Sequence, residues 1–263
     1  MLHLLKIEWL KLKNYRTFWI LSILFMISIF GINYIVHEIF TQKELQNSVA
    51  TMLIGGPPFQ FPQVWHTVSF FSGFLLFIPG LLMVISITNE FSFKTHRQNI
   101  IDGLSRNQFI MVKMVLAFIF AAISTILVFL TAFLFGLTEG GVPVSYQGVF
   151  NIGFFFIQAL SYCSVAIMFS LLFKRSGIAI GVFFLYVQVL ELMLAGILNK
   201  YFSPIGYYLP LRSGNSLIPF PFFRNLTRQF INQPATKYLL LTALIYLIIY
   251  FFFSKRRFET VDL

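Results

Sequence analysis

Residues 89–113 read N-E-F-S-F-K-T-H-R-Q-N-I-I-D-G-L-S-R-N-Q-F-I-M-V-K, a polar and basic island between two long apolar runs. Two capping boxes follow each other inside it. Thr95 with Gln98 is expected to start one short helix and Ser105 with Gln108 the next; in each, the hydroxyl accepts from an orphan backbone N–H while the amide side chain reaches back. Asp102-Gly103 stands between them, and glycine takes the left-handed conformation that closes a helix. The island therefore specifies a short independent helix over about residues 96–102, between two membrane spans. A membrane protein has little reason to fold such a helix on its inner face unless something docks there.

Composition fixes the class around the island. The chain is 58% hydrophobic and 11% charged, with 35 Phe, more apolar surface than a soluble domain of this length can hide. Several apolar runs reach the roughly 20 residues needed to cross a bilayer core. The expected fold is all-α: one polytopic transmembrane helix bundle spanning residues 1–263. Six spans are expected at about 17–36, 64–88, 109–137, 147–173, 178–198 and 237–253. Residues 1–15 form an interfacial helix, with Leu2, Leu5, Trp9 and Leu12 on one face and lysines snorkelling to headgroups. Five charged residues among the first 16 argue against a cleavable signal, so the first run is expected to stay as a permanent span. Pro79-Gly80 is expected to kink the second span.

The net charge of +10 would suggest nucleic acid in a soluble protein, but here the cations cluster at the ends of apolar runs, which is the positive-inside pattern. Lys6, Lys11, Lys13 and Arg16, the island's Lys94, Arg97, Arg106 and Lys113, Lys174-Arg175, and Lys255-Arg256-Arg257 share one side, which is then cytoplasmic, with both termini. The apolar outer loop 199–236, with Ile218-Pro219-Phe220-Pro221-Phe222-Phe223, is too proline-rich to cross. It is expected to dip into the outer interface as short broken helices.

Enzymatic constellations are missing. His3, His37, His66 and His96 are scattered without metal-ligand spacing, and no G-x-S-x-G or phosphate-binding loop occurs. No catalytic and no metal-binding residue is assigned. The lone Cys163 reads as a small buried hydrophobe, and the sequon Asn225-Leu226-Thr227 as a chance triplet. Glu191 is the one acid deep in an apolar run, roughly 20 Å from the cytoplasmic start of its span. A charge there costs about 2.5–3.5 kcal/mol, so it must face protein, water or a partner. Gln188 lies one turn earlier, and Gln158, with Ser161 and Ser164, offers a matching polar patch. Two readings stay open: Gln158, Gln188 and Glu191 line a translocation path, or Glu191 is a hydrogen-bonded structural acid.

The whole pattern resembles the membrane permease subunit of ABC exporters of the ABC-2 type, over essentially the full chain. The first cytoplasmic loop carries the resemblance most specifically. It has Glu90 at the end of the second span, Thr95 and Arg97, the pair Ile100-Ile101, the turn Gly103-Leu104-Ser105-Arg106, and Lys113 opening the third span. The family's usual Pro before Ser-Arg is absent. Lys6-Ile7-Glu8-Trp9-Leu10-Lys11-Leu12 resembles the family's start and residues 258–263 its cytoplasmic tail.

The resemblance implies a coupling helix over about 96–102 that sits in a cleft of a separate ABC ATP-binding subunit, with Glu90, Lys94, Thr95, His96, Arg97, Gln98, Asn99 and Arg106 as the ATPase-coupling residues. It implies a second permease, identical or homologous, and contact with membrane lipids. It further implies export, and residence as a multi-pass protein in a bacterial plasma membrane (the inner membrane if Gram-negative). No nucleic acid is expected as a partner. ATP and Mg belong in the partner and no cofactor in this chain, which is not itself an enzyme. Physically, His96, Arg97, Gln98 and Asn99 would form the polar docking face, with Phe91, Phe93, Ile100 and Ile101 packed under the spans. A stand-alone secondary transporter or channel using Glu191 is the alternative; a neighbouring gene for a phosphate-loop ATPase would separate the two.

Overall fold

The structure, a computed structural model, describes residues 2–41, 57–139, 143–222 and 233–259. The expected tail at 260–263, the sequon at 225–227 and the Gly55-Gly56 part of the first outer loop lie outside them. The described residues are helical throughout their regular structure. An N-terminal helix, α1 (Leu2–Lys13), leads into α2 (Arg16–Thr41). The second span is broken into α3 (Val64–Gly73) and α4 (Phe77–Ser92), bent by 44°. A seven-residue helix, α5 (Thr95–Ile101), separates α4 from the 33-residue α6 (Arg106–Thr138). Then come α7 (Phe150–Phe173) and α8 (Ser176–Leu185), which continues through a π-helical turn, Tyr186–Leu190, into α9 (Glu191–Phe202). The outer loop holds a 3-10 turn (Ile205–Tyr208) and α10 (Pro210–Asn215), and α11 (Thr236–Glu259) closes the bundle. Among the described residues five helices are long and apolar enough to cross a membrane, six if the bent pair counts as one span.

The core gathers around α7. This helix is apolar all round, which suits burial on every side, and it packs against α3, α4, α6, α8, α10 and α11. Its Ala159, Ser161, Cys163, Ser164, Ala166 and Ser170 are buried, and such small side chains let neighbouring backbones approach closely. Ser161 and Ser170 return their hydroxyl protons to carbonyls one turn back. By contrast α2 and α9 are peripheral and leave long apolar faces uncovered, Ile20, Ile23 and Ile27 on one, Leu192, Met193 and Ile197 on the other. Asn33 ties α2 inward by donating to Ser72 Oγ at 3.1 Å.

The break in the second span falls at residues 74–76, not at Pro79-Gly80. The displacement follows from what proline does: it removes its own N–H and its ring presses on the carbonyl four residues earlier, at Leu75. Pro79 itself is the third residue of α4, inside a first turn where an N–H needs no helical acceptor. Gly80 serves packing instead. A Cβ on it would lie 2.3 Å from Phe183 Cζ, so only glycine admits this ring from α8. Gly80→Ala is therefore expected to destabilise the bundle by roughly 1–3 kcal/mol through overpacking. Thermal unfolding in detergent measures this, and Phe183→Leu should restore most of the loss.

The outer loop enters more deeply than an interfacial dip. The first residues of α10 bond to Glu191, 11 residues from the outer end of α9, roughly 16 Å down at 1.5 Å per residue. Gly214 lies against Gln158 and Ser161 of α7. Irregular backbone at such depth is tolerated where it is buried in protein or lines a cavity, and here it does both.

Candidate functional site

The island after α4 folds as a turn, a helix and a capped start. Lys94 adopts a left-handed conformation, φ 56°, and its carbonyl accepts from the amides of Arg97 and Gln98. The expected Thr95–Gln98 capping box is not formed. Lys94 is the cap residue and Thr95 is already the first helical residue, so its hydroxyl has no orphan amide to accept from. Gln98 instead donates to Asp102 Oδ1 at 2.9 Å. The second expectation holds in full: Ser105 accepts from the Gln108 amide and Gln108 returns the bond to the Ser105 amide. Gly103, at φ 96°, closes α5, with the Leu104 amide donating to Asn99.

The facing of α5 differs from the expected one. His96 points inward and is buried; its Nδ1–H donates to the Glu90 carbonyl at 2.9 Å and its ring lies 4.6 Å from that of Phe91. Phe93 and Ile101, expected under the spans, are 74% and 78% exposed. The reversal has a geometric cause: the left-handed Lys94 rotates the start of α5, so that residue 96 faces the bundle. The outer face is then Phe93, Lys94, Arg97, Gln98 and Ile101, with Thr95 and Asn99 half-buried at its sides.

Two further residues of the island look inward. Glu90 is buried and accepts from Lys113 at 2.6 Å and from Lys11 at 2.9 Å. Lys113, 1% exposed, also donates to Glu8, which accepts from Lys11 at 2.9 Å. Two carboxylates and two ammonium groups thus join α1, the end of α4 and the second turn of α6. Burial alone would raise the Glu8 carboxyl, but the charges of Lys113 and Lys11 outweigh it and hold it below its ordinary value. Burial would likewise lower Lys11, and Glu90 and Glu8 outweigh it and raise it. Arg106 is turned to α11, where it donates to the Glu259 carbonyl, and beside it Phe109 stacks on Phe258 at 4.4 Å. Sequence reasoning assigned Glu90 and Arg106 to the coupling set; the structure turns Glu90 to Lys113 and Lys11 and Arg106 to the end of α11, away from the exposed face of α5. It missed Glu8 as an acceptor for Lys113 and Lys11 as a second donor to Glu90, pairs 105 and 79 residues apart with no local signal.

On the outer side, a cavity of about 1210 Å³ opens among α3, α7, α9 and α10. Gln158, Gln188 and Glu191 all line it, but unequally: Gln188 is exposed and Glu191 buried, because the π-helical turn between them breaks the shared face that α-helical spacing gives. Gln158 donates to Asn215 at 2.7 Å, and Asn215 to the Tyr162 hydroxyl at 3.2 Å. One Glu191 oxygen accepts from the amides of Leu211 and Arg212, both at 2.6 Å. The carboxylate therefore caps α10 across the cavity, the second of the two readings above, while still lining the space.

Tyr162 joins the lining one turn after Gln158 on α7, the spacing that shares a face, while Asn215 and Arg212 join it from positions no spacing rule connects to Gln158 or Glu191. Glu191→Ala would leave two deep amides without an acceptor, a loss of about 1–3 kcal/mol. It is expected to speed hydrogen–deuterium exchange across 205–217 about tenfold, with Glu191→Gln affected less. Among the described residues no three His, Cys, Asp or Glu side chains are grouped to hold a metal ion.

A sequence profile described as "ABC-2 family transporter protein" matches residues 4–190. The match covers α1 through the π-helical turn and ends one residue before Glu191. No curated protein matches the chain.

Proposed function

The chain belongs to the ABC-2 transporter family, and from that premise we propose that it is the translocation subunit of an ATP-driven exporter worked by separate ATP-binding subunits. The family makes it a multi-pass membrane permease of an ABC transporter, with no catalytic role of its own, and implies association with an ABC ATP-binding subunit. What lies beyond is our reading. Two permeases, identical or homologous, pair within a bacterial plasma membrane, and two ATP-binding subunits carrying ATP and Mg dock below.

The observation that carries the reading is the outward pair Phe93 and Ile101. Large apolar side chains exposed in a short polar loop, rimmed by Lys94, Arg97 and Gln98, have the composition of a docking surface. The pocket-filling anchors would be Phe93 and Ile101, and the cations would steer an acidic cleft. Motion of the docked subunit would pass into four helices together. His96 and Phe91 fasten α5 to α4, the Glu90–Lys113–Glu8–Lys11 network fastens α4 to α6 and α1, and Arg106 with Phe109 fastens α6 to α11. The outer cavity, with its amide and hydroxyl groups among aromatic walls, would be part of the path. One Glu191 oxygen is engaged by two backbone amides, which supports a structural use of this acid over the ion coupling that a stand-alone secondary transporter would ask of it.

Mild-detergent affinity purification of the tagged chain from its native membrane tests this. A stoichiometric phosphate-loop ATPase that is lost when residues 95–106 are scrambled supports it. A chain that purifies alone in several detergents, yet transports after reconstitution, overturns it.

A further inference from the structure

A second cavity, about 470 Å³, lies on the cytoplasmic side between the island and the α7–α8 turn. Lys94 and Arg97 line it from one side, Lys174 and Arg175 from the other, with Phe91 and the backbone at Ser176-Gly177 between them. No carboxylate is among its lining residues, and none of the four cations is ion-paired among the described residues. The contrast within the same chain is sharp: Lys11 and Lys113, a few turns away, are fully partnered by Glu8 and Glu90. Four like charges converging on one concave space repel each other unless an anion joins them.

The local fold holds them there. Lys174 ends α7 in a left-handed conformation, φ 52°, and Arg175 is the cap residue of α8, whose first residues, Ser176 and Gly177, line the cavity at the positive end of the helix dipole. Lys94, also left-handed, supplies the facing wall. Lysine and arginine bring planar and point-like donors together, the combination suited to phosphate oxygens. Phe173 and Ile178, which flank the turn, are exposed apolar side chains, as an acyl chain leaving the cavity would require.

We propose that this cavity binds a phosphate group, that of an anionic phospholipid of the cytoplasmic leaflet, clamping the island to the α7–α8 turn. Basic pockets between membrane helices on this side are the physical setting for headgroup recognition. The cavity shares Lys94 and Arg97 with the rim of the docking face assigned above, whereas Lys174 and Arg175, on another loop, belong to the cavity alone.

The test uses the full chain in nanodiscs of phosphatidylcholine with or without phosphatidylglycerol. Native mass spectrometry counts retained phosphatidylglycerol, and melting temperature is followed with inorganic phosphate as the soluble probe. Lys174→Gln/Arg175→Gln and Lys174→Ala/Arg175→Ala are expected to retain about tenfold less phosphatidylglycerol than wild type. Lys255→Gln/Arg256→Gln, on the same side, should match wild type, and the charge-preserving Lys174→Arg/Arg175→Lys should retain lipid, which separates loss of charge from loss of fold. Stabilisation by inorganic phosphate equal to that by phosphatidylglycerol, abolished in the pocket variants, keeps the phosphate site and makes its source soluble. Equal lipid retention in all variants, with phosphate without effect, overturns the proposal. So does loss of a co-purifying ATPase from the pocket variants at unchanged lipid retention, which would assign the cavity to an acidic protein surface.

Discussion

Lys113→Met is expected to lower the melting temperature of the detergent-solubilised protein by roughly 10 °C. Lys113 is almost fully buried and is shared by Glu8 and Glu90, so its removal leaves two carboxylates in a poorly hydrated junction with only the partly exposed Lys11 between them. Breaking a buried pair in this way costs about 3–5 kcal/mol, far more than the intact pair is worth, because the remaining charge keeps its desolvation penalty. The triple variant Glu8→Gln/Glu90→Gln/Lys113→Met should therefore recover most of the loss. A single variant that melts with wild type would show that the network is solvated and weak. The same network sets an acid limit. The Glu8 carboxyl is held below its ordinary value of 4.5, so its contribution is complete above that pH and is lost as pH falls through the lower folded value. Glu8→Gln is expected to flatten the acid limb of melting temperature against pH.

Phe93→Asp/Ile101→Asp is expected to reduce capture of the ATP-binding partner by about thirtyfold or more, with the melting temperature of the isolated chain unchanged. Buried apolar anchors at interfaces are worth about 2 kcal/mol or more each when truncated, and both side chains are largely exposed in the isolated chain. Arg97→Glu should weaken capture further, and in a salt-dependent way, since a rim charge acts through steering. Arg106→Glu belongs to a different class. Its guanidinium holds the end of α11, so reversal should loosen the platform and lower stability as well as coupling. Undiminished capture by the Phe93/Ile101 double variant, measured by pull-down at matched expression, would remove the docking face from α5.

What the sequence made legible follows the range of the interactions. The spans come from long apolar runs, and the start of α6 from four consecutive residues, Ser105 to Gln108, whose mutual bonds are local. The end of α5 at Gly103 is equally local. The Thr95 cap failed because one residue before it, Lys94, took a left-handed turn that short-range preference argues against. The kink moved because proline acts one turn upstream of its own position. Beyond one turn of helix the sequence falls silent. Nothing near Glu191 announces that it caps a helix beginning 19 residues later, and nothing near Glu8 announces Lys113. Candidate residues were therefore found by type, while their facing, inward for His96 and Glu90, outward for Phe93 and Ile101, required the fold.

The charge network also has a consequence for biosynthesis. Helices leave the ribosome in chain order, so Glu8 and Lys11 emerge long before Lys113 and must wait, hydrated at the bilayer surface, while two spans insert. Only when the third span arrives can α1 be drawn against α4 and α6. The clasp of Phe109 with Phe258 and of Arg106 with Glu259 waits longer still, until α11 is in place. The contact of α6 with α11 is thus made later than the charge network that joins α1, α4 and α6.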